Sequence, residues 1–136
     1  MKVDDKDKKI LELLKTNART SNVGIAKAVQ LTEGAVRHRI ENLLNNGTIK
    51  KFTIEVTSES QVFAVVMAKA KHETKKMMAE IKLARLVDDA YEISGDYDAC
   101  LVISGANLED IDRKIDKLRE LRTVTDTKTY VSLRKW

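Results

Sequence analysis

Between positions 19 and 39 the chain gathers side chains that can hold a polyanion. Arg19, Ser21, Asn22 and Thr32 supply a guanidinium, two hydroxyls and an amide. Such groups, set beside backbone N–H groups at helix N-termini, hold phosphate oxygens. Glu33, Gly34, Arg37, His38 and Arg39 follow directly. From a helix, Arg37 can reach a guanine edge or a phosphate. Lys50 and Lys51 add two cations suited to a phosphate backbone. The charge distribution agrees. The 136 residues carry a formal net charge of +4, with 11 Lys/Arg against 6 Asp/Glu in residues 1–52 and 14 against 15 in residues 53–136. The positive excess therefore lies on the segment that holds these groups.

Groups of this kind act only when helices position them, and the same segment reads as three helices. Asp4 or Asp5 can cap the first, whose apolar stripe is Val3, Ile10, Leu13, Leu14 and Ala18. Ser21 or Asn22 can cap a short second helix with Val23, Ile25, Ala26 and Val29 inward. Gln30-Leu31 is a tight turn, Thr32 a cap, and the third helix spans about Glu33–Asn45 with Val36, Ile40, Leu43 and Leu44 as core. Asn46-Gly47 ends it. Two short helices joined by a tight turn form a helix-turn-helix, in which the first braces across the DNA backbone and the second lies in the major groove. Residues 1–52 are therefore expected to be a DNA-binding domain of winged helix-turn-helix type. Thr48–Val56 alternates and is rich in β-formers, predicting an extended connector strand, with a hinge at Ser58-Glu59-Ser60; residues 53–60 form the connector.

From residue 61 the rhythm changes. Gln61–Ala70 reads as a strand with apolar residues on both faces, Glu73–Arg85 as a helix, and Val87–Ser94 and Tyr97–Ser104 as two strands joined at Gly95-Asp96. Asn107 caps a helix with Leu108, Ile111, Ile115 and Leu118 inward, and Val124–Leu133 is a last strand. The order βαββαβ is ferredoxin-like, so the chain is expected to be an α+β protein. Two helices cover one sheet face. The other face carries apolar side chains, and pairing with a second copy is the simplest way to cover it.

Several classes of function are excluded. Asp88, Asp89, Asp96 and Asp98 form the one carboxylate cluster that invites a catalytic reading. Catalytic carboxylates need a pocket and shifted pKa values, whereas Asp96 and Asp98 straddle an expected turn. There is no phosphate-binding glycine loop and no nucleophile–histidine pairing, so no enzymatic activity and no cofactor are expected. His38 and His72 have no ligand cluster around them, so no metal is expected. The lone Cys100, in the run Ala99–Ile103, fits a small buried hydrophobe in a reducing compartment. With no membrane-length apolar run and no h-region after Met1, these features point to a cytoplasmic protein.

Set end to end, these segments resemble the leucine-responsive regulatory protein/AsnC, or feast/famine, family. The likeness rests on Val3-Asp4…Asp7…Ile10-Leu11…Leu14…Ala18-Arg19, on Val23–Val29 with Leu31-Thr32, and on Val36-Arg37-His38-Arg39-Ile40…Leu43…Gly47-Thr48-Ile49. It continues in Ser94-Gly95-Asp96-Tyr97-Asp98 and in Val124–Thr129. The resemblance implies a transcription regulator that binds promoter or operator DNA. It implies a homodimer formed through residues 61–136, assembling to an octamer. It also implies an amino acid bound between dimers at Gly95, Asp96, Tyr97 and Asp98. The chemistry suits that ligand. Asp96 or Asp98 can meet an ammonium, and N–H groups near Gly95 with the hydroxyls of Thr125, Thr127 or Thr129 can meet a carboxylate. The chain departs from the family where Gln30 replaces a frequent glycine, where Glu33 replaces a frequent proline, and at Gly34. An effector-independent or an architectural, nucleoid-like DNA-binding protein is the competing expectation, and the modest charge argues against the architectural one.

Overall fold

The computed structural model describes residues 2–57 and 60–136. They fall into two compact units, Met1–Val56 and Thr57–Trp136. The first holds α1 (Asp5–Thr16), α2 (Asn22–Val29) and α3 (Glu33–Asn45). Each begins at a residue whose side-chain oxygen accepts a backbone N–H: Asp4 from Asp7 at 2.8 Å, Ser21 from Gly24 at 3.0 Å, and Thr32 from Ala35 at 3.2 Å. A cap of this kind is worth ~1 kcal/mol. The Asp7 carboxylate accepts the Asp4 N–H in return, which closes a capping box.

Ile10, Leu14, Ile25, Ala26, Val29 and Val36 make one core, with Leu13, Leu31, Ile40 and Ile49 packed around it. Val23 and Leu44 are exposed rather than inward. They lie in the first turn of α2 and the last turn of α3, where the apolar stripe leaves the packed face. α2 ends on Gln30 in the left-handed region, φ +57° and ψ +53°. A side chain there costs about 1 kcal/mol that glycine would avoid. α3 is followed by Gly47 at φ +77°, where glycine meets that demand.

The expected connector strand is not an element of this structure. Residues 50–57 belong to no strand, and Phe52, Ile54 and Val56 are exposed. A strand exists through its ladder, and no described segment pairs with this one. For the same reason the first unit has three helices and no wing among the described residues. Ser58 and Glu59 of the expected hinge lie outside the described residues.

The second unit runs β1 (Val62–Ala70), α4 (Thr74–Ala84), β2 (Asp89–Glu92), β3 (Ala99–Gly105), α5 (Leu108–Glu120) and β4 (Val124–Val131). The strands lie in the order β2-β3-β1-β4, all antiparallel, which is the ferredoxin-like sheet. Ala64, Val66 and Ala68 of β1 and Ala99, Leu101 and Ile103 of β3 are buried with Met77 and Ile81 of α4 and Ile111, Ile115 and Leu118 of α5. Leu108, at the first turn of α5, is 61% exposed rather than inward. The opposite sheet face carries Phe63, Val65, Met67, Cys100 and Val102, all half-buried. Cys100 is therefore a small residue of the uncovered face, not of the core. No helix among the described residues is long and apolar enough to cross a membrane.

Candidate nucleic-acid interface and ligand loop

Three helix starts set the geometry of the first unit. Ser21 and Thr32 stand at the N-termini of α2 and α3, each hydroxyl accepting from its own helix. A capping hydroxyl that accepts inward still has its own proton to donate outward, so both can hold a phosphate. Arg19 is exposed just before α2, and its N–H is fixed by Asn17 Oδ1 at 2.9 Å. Asn22 is half-buried in the first turn of α2. On α3, Glu33, Gly34, Arg37 and His38 are exposed together. Arg37 leans on Glu33, Nη2 to Oε1 at 2.6 Å, one helical turn away. That pair is exposed and i, i+4, so it costs little to open toward a phosphate. Lys50 is exposed beyond the helix.

Arg39 is the exception. Its Nη1 lies 2.7 Å from Asp4 Oδ2 and 2.8 Å from Asp7 Oδ1, both at the N-terminus of α1. The Asp7 N–H first, and then the Arg39 guanidinium, hold the Asp4 carboxyl below the usual aspartate range. A lowered carboxyl contributes its stability above the unfolded value and loses it as pH falls through the folded one. The contact is therefore intact at neutral pH.

In the second unit β2 and β3 are joined by residues 93–98. Gly95, at φ +138°, adopts a backbone closed to L side chains. Asp98 closes the ladder: its N–H donates to Ala68 O at 3.0 Å, its carbonyl accepts from Ile93 at 2.9 Å, and Oδ2 accepts from Ala70 N–H at 2.7 Å. The last bond carries the β1–β3 pairing past its final rung, Ala68↔Ala99. Tyr97 is half-buried and Asp96 is exposed. The two acids thus separate: Asp98 fixes the loop and Asp96 faces solvent.

The pairing places this loop and the start of β4 at one end of the sheet, since Ala68 lies opposite Thr127 and Ala70 opposite Val124. Thr125 is exposed there, and Thr127 Oγ1 accepts from Arg119 Nε at 3.0 Å. Thr125, Asp126, Thr127 and Arg119 line a cavity of about 310 Å³. Thr129 is not part of this group. It lies opposite Val66, and its hydroxyl is buried with no hydrogen-bond partner among the described residues. Arg119, a ready carboxylate anchor, is the residue that sequence reasoning missed. It sits on α5, and only the tertiary contact with Thr127 brings it to the site.

Comparison with known proteins decides what this pairing of units is. Residues 3–44 match the AsnC-type helix-turn-helix domain, and residues 54–136 match the Lrp/AsnC ligand binding domain. The chain belongs to the Lrp/AsnC family. It is 40% identical to the HTH-type transcriptional regulator LysM of Saccharolobus solfataricus over 98% of this chain and 96% of that one. With LysM of Sulfurisphaera tokodaii it shares 41% identity over 98% and 97%. Among solved structures, the feast or famine regulatory protein of M. tuberculosis complexed with L-methionine superposes with a TM-score of 0.85 at 18% identity, over 99% of this chain and 95% of that one. That last likeness shows the fold. This Lrp/AsnC protein is accordingly a DNA-binding transcription regulator with a ligand-binding domain.

Proposed function

We propose that this Lrp/AsnC regulator reads a specific operator as a homodimer, assembling to an octamer, and answers to an amino acid. Residues 1–52 are the DNA-binding domain, 53–60 the connector, and 61–136 the pairing and effector domain. One observation carries the effector reading: Asp98 is hydrogen-bonded into β1 and Ile93 while Asp96 stays exposed at the sheet end that also holds Thr125, Thr127 and Arg119. A zwitterion needs an anion for its ammonium and donors for its carboxylate, and that sheet end supplies both. The L-methionine complex of the M. tuberculosis protein puts such a ligand on the same fold. On DNA, two α3 helices related by the dimer axis would read half-sites ~34 Å apart.

A thermal-shift screen of the full chain against the protein amino acids tests this. A ligand at 100 times its Kd adds about 2.7 kcal/mol to the folded state, a clear rise in Tm. Asp96→Asn is expected to abolish that rise while leaving the ligand-free Tm unchanged. No shift with any amino acid would favour a regulator that works without an effector. A footprint symmetric about one centre supports operator reading; uniform protection sinks it.

A further inference from the structure

We propose that Arg39 is a positioning residue: it does not touch DNA, but ties α3 to the N-terminus of α1 and so sets the angle at which the recognition helix meets the groove. The inference rests on the DNA-binding reading above and adds how the head is held.

Four observations support it. Arg37 and Arg39 are two residues apart on one helix, so their side chains diverge by about 160° around its axis and cannot face one groove. The Arg37 side chain is 59% exposed and that of Arg39 only 28%. Second, the Arg39 guanidinium is already engaged by two carboxylates, at 2.7 and 2.8 Å. Two anions around one cation leave a locally negative site, which repels a phosphate. Third, the anchor is rigid, because Asp4 and Asp7 are the two halves of the α1 capping box. Fourth, α1 carries another tie: the Lys6 ammonium donates to the carbonyl of Val29, the last residue of α2. Apolar packing is non-directional and leaves a helix some freedom to roll. Polar pins from α1 to both helices of the motif remove that freedom.

The test uses the full chain and two duplexes, one selected from a random pool for tight binding and one of mixed sequence. Asp7→Asn, Arg39→Gln, Arg39→Lys and the Asp7→Asn/Arg39→Gln double variant are titrated well below their unfolding temperatures, with helix content checked by circular dichroism. Each single variant is expected to bind the selected duplex on the order of five-fold more weakly, the scale of coupling within one ion-pair network. The double variant should be no worse than either single one, and the slope of log affinity against log salt should not move. Arg39→Lys keeps the charge and most of the fold, so it reports even where Arg39→Gln unfolds. Tighter binding by Asp7→Asn, with a slope reduced by about 0.9 in Arg39→Gln, would make Arg39 a phosphate contact and overturn the assignment. Unchanged binding in every folded variant would overturn it too, leaving Arg39 a role in stability alone. Failure of the wild-type chain to prefer the selected duplex is a separate result, visible before any variant is made; it would remove the operator reading and this assignment together.

Discussion

Replacing Gly34 with alanine should stabilise the first unit and weaken its hold on DNA. A glycine costs about 0.8–1.0 kcal/mol against alanine in a helix interior, and less in the first turn where Gly34 lies. Packing does not ask for it: beyond the chain neighbours and the helix's own backbone, a Cβ at Gly34 would meet no atom of the described residues within 4 Å. Gly34 shares the exposed face of α3 with Glu33, Arg37 and His38. The space its missing side chain leaves is therefore space for something outside the chain. Thermal unfolding of Gly34→Ala should show a midpoint higher by a few degrees at most, because ~1 kcal/mol moves a domain of this size by 4–8 °C. Titration of the selected operator should show roughly ten-fold or greater loss, the size of one disrupted base-pair contact. Stability and affinity moving in opposite directions is a signature that a folding defect does not produce. Undiminished affinity would mean that the first turn of α3 does not approach the duplex.

The second large effect is expected from Val102→Lys. Val102 lies on the sheet face that the helices leave uncovered, in register with Val65 on one side and Asp89 on the other. In a single chain the new ammonium can pair with Asp89 across the strands, so the fold should survive. Buried between two apolar sheets, the same ammonium would be costly. The variant should run as a monomer in sedimentation. Operator affinity should then fall by about 10²–10⁴, because one head loses the effective concentration that the other gives it. A variant that stays dimeric would place the pairing surface elsewhere. A monomer that binds as tightly as the wild type would mean that single heads suffice.

Much of this was legible in the sequence because capping is local. Ser21, Thr32 and Asn107 each hold the acceptor that the N–H three residues on requires, and each caps the helix expected of it. The βαββαβ order followed from the change of apolar period. The rest was not legible where a residue's surroundings are set by a distant partner. An arginine on a recognition helix reads as a DNA contact; only folding brings Asp4 and Asp7 beside Arg39. Arg119 and Thr127 are separated by the turn between α5 and β4. Residues 50–57 alternate like a strand yet have no ladder. Val23 and Leu108 fit an apolar stripe but occupy first turns that project past the packed face. In the loop between β2 and β3, residue type alone does not separate Asp96 from Asp98. The Ala70 N–H, lying beyond the last β1–β3 rung, does so by claiming Asp98.

The strand order also sets a timetable for synthesis. β1 lies in the middle of the sheet, yet one of its neighbours, β4, is the last strand made, with Ala64 pairing to Val131. The sheet cannot close until β4 has left the ribosome. The three helices of the first unit need only one another, through contacts short in sequence, and such units fold fast and early. A nascent chain therefore carries a finished head while its sheet is still open. The sheet face that the helices leave uncovered is therefore completed after the head.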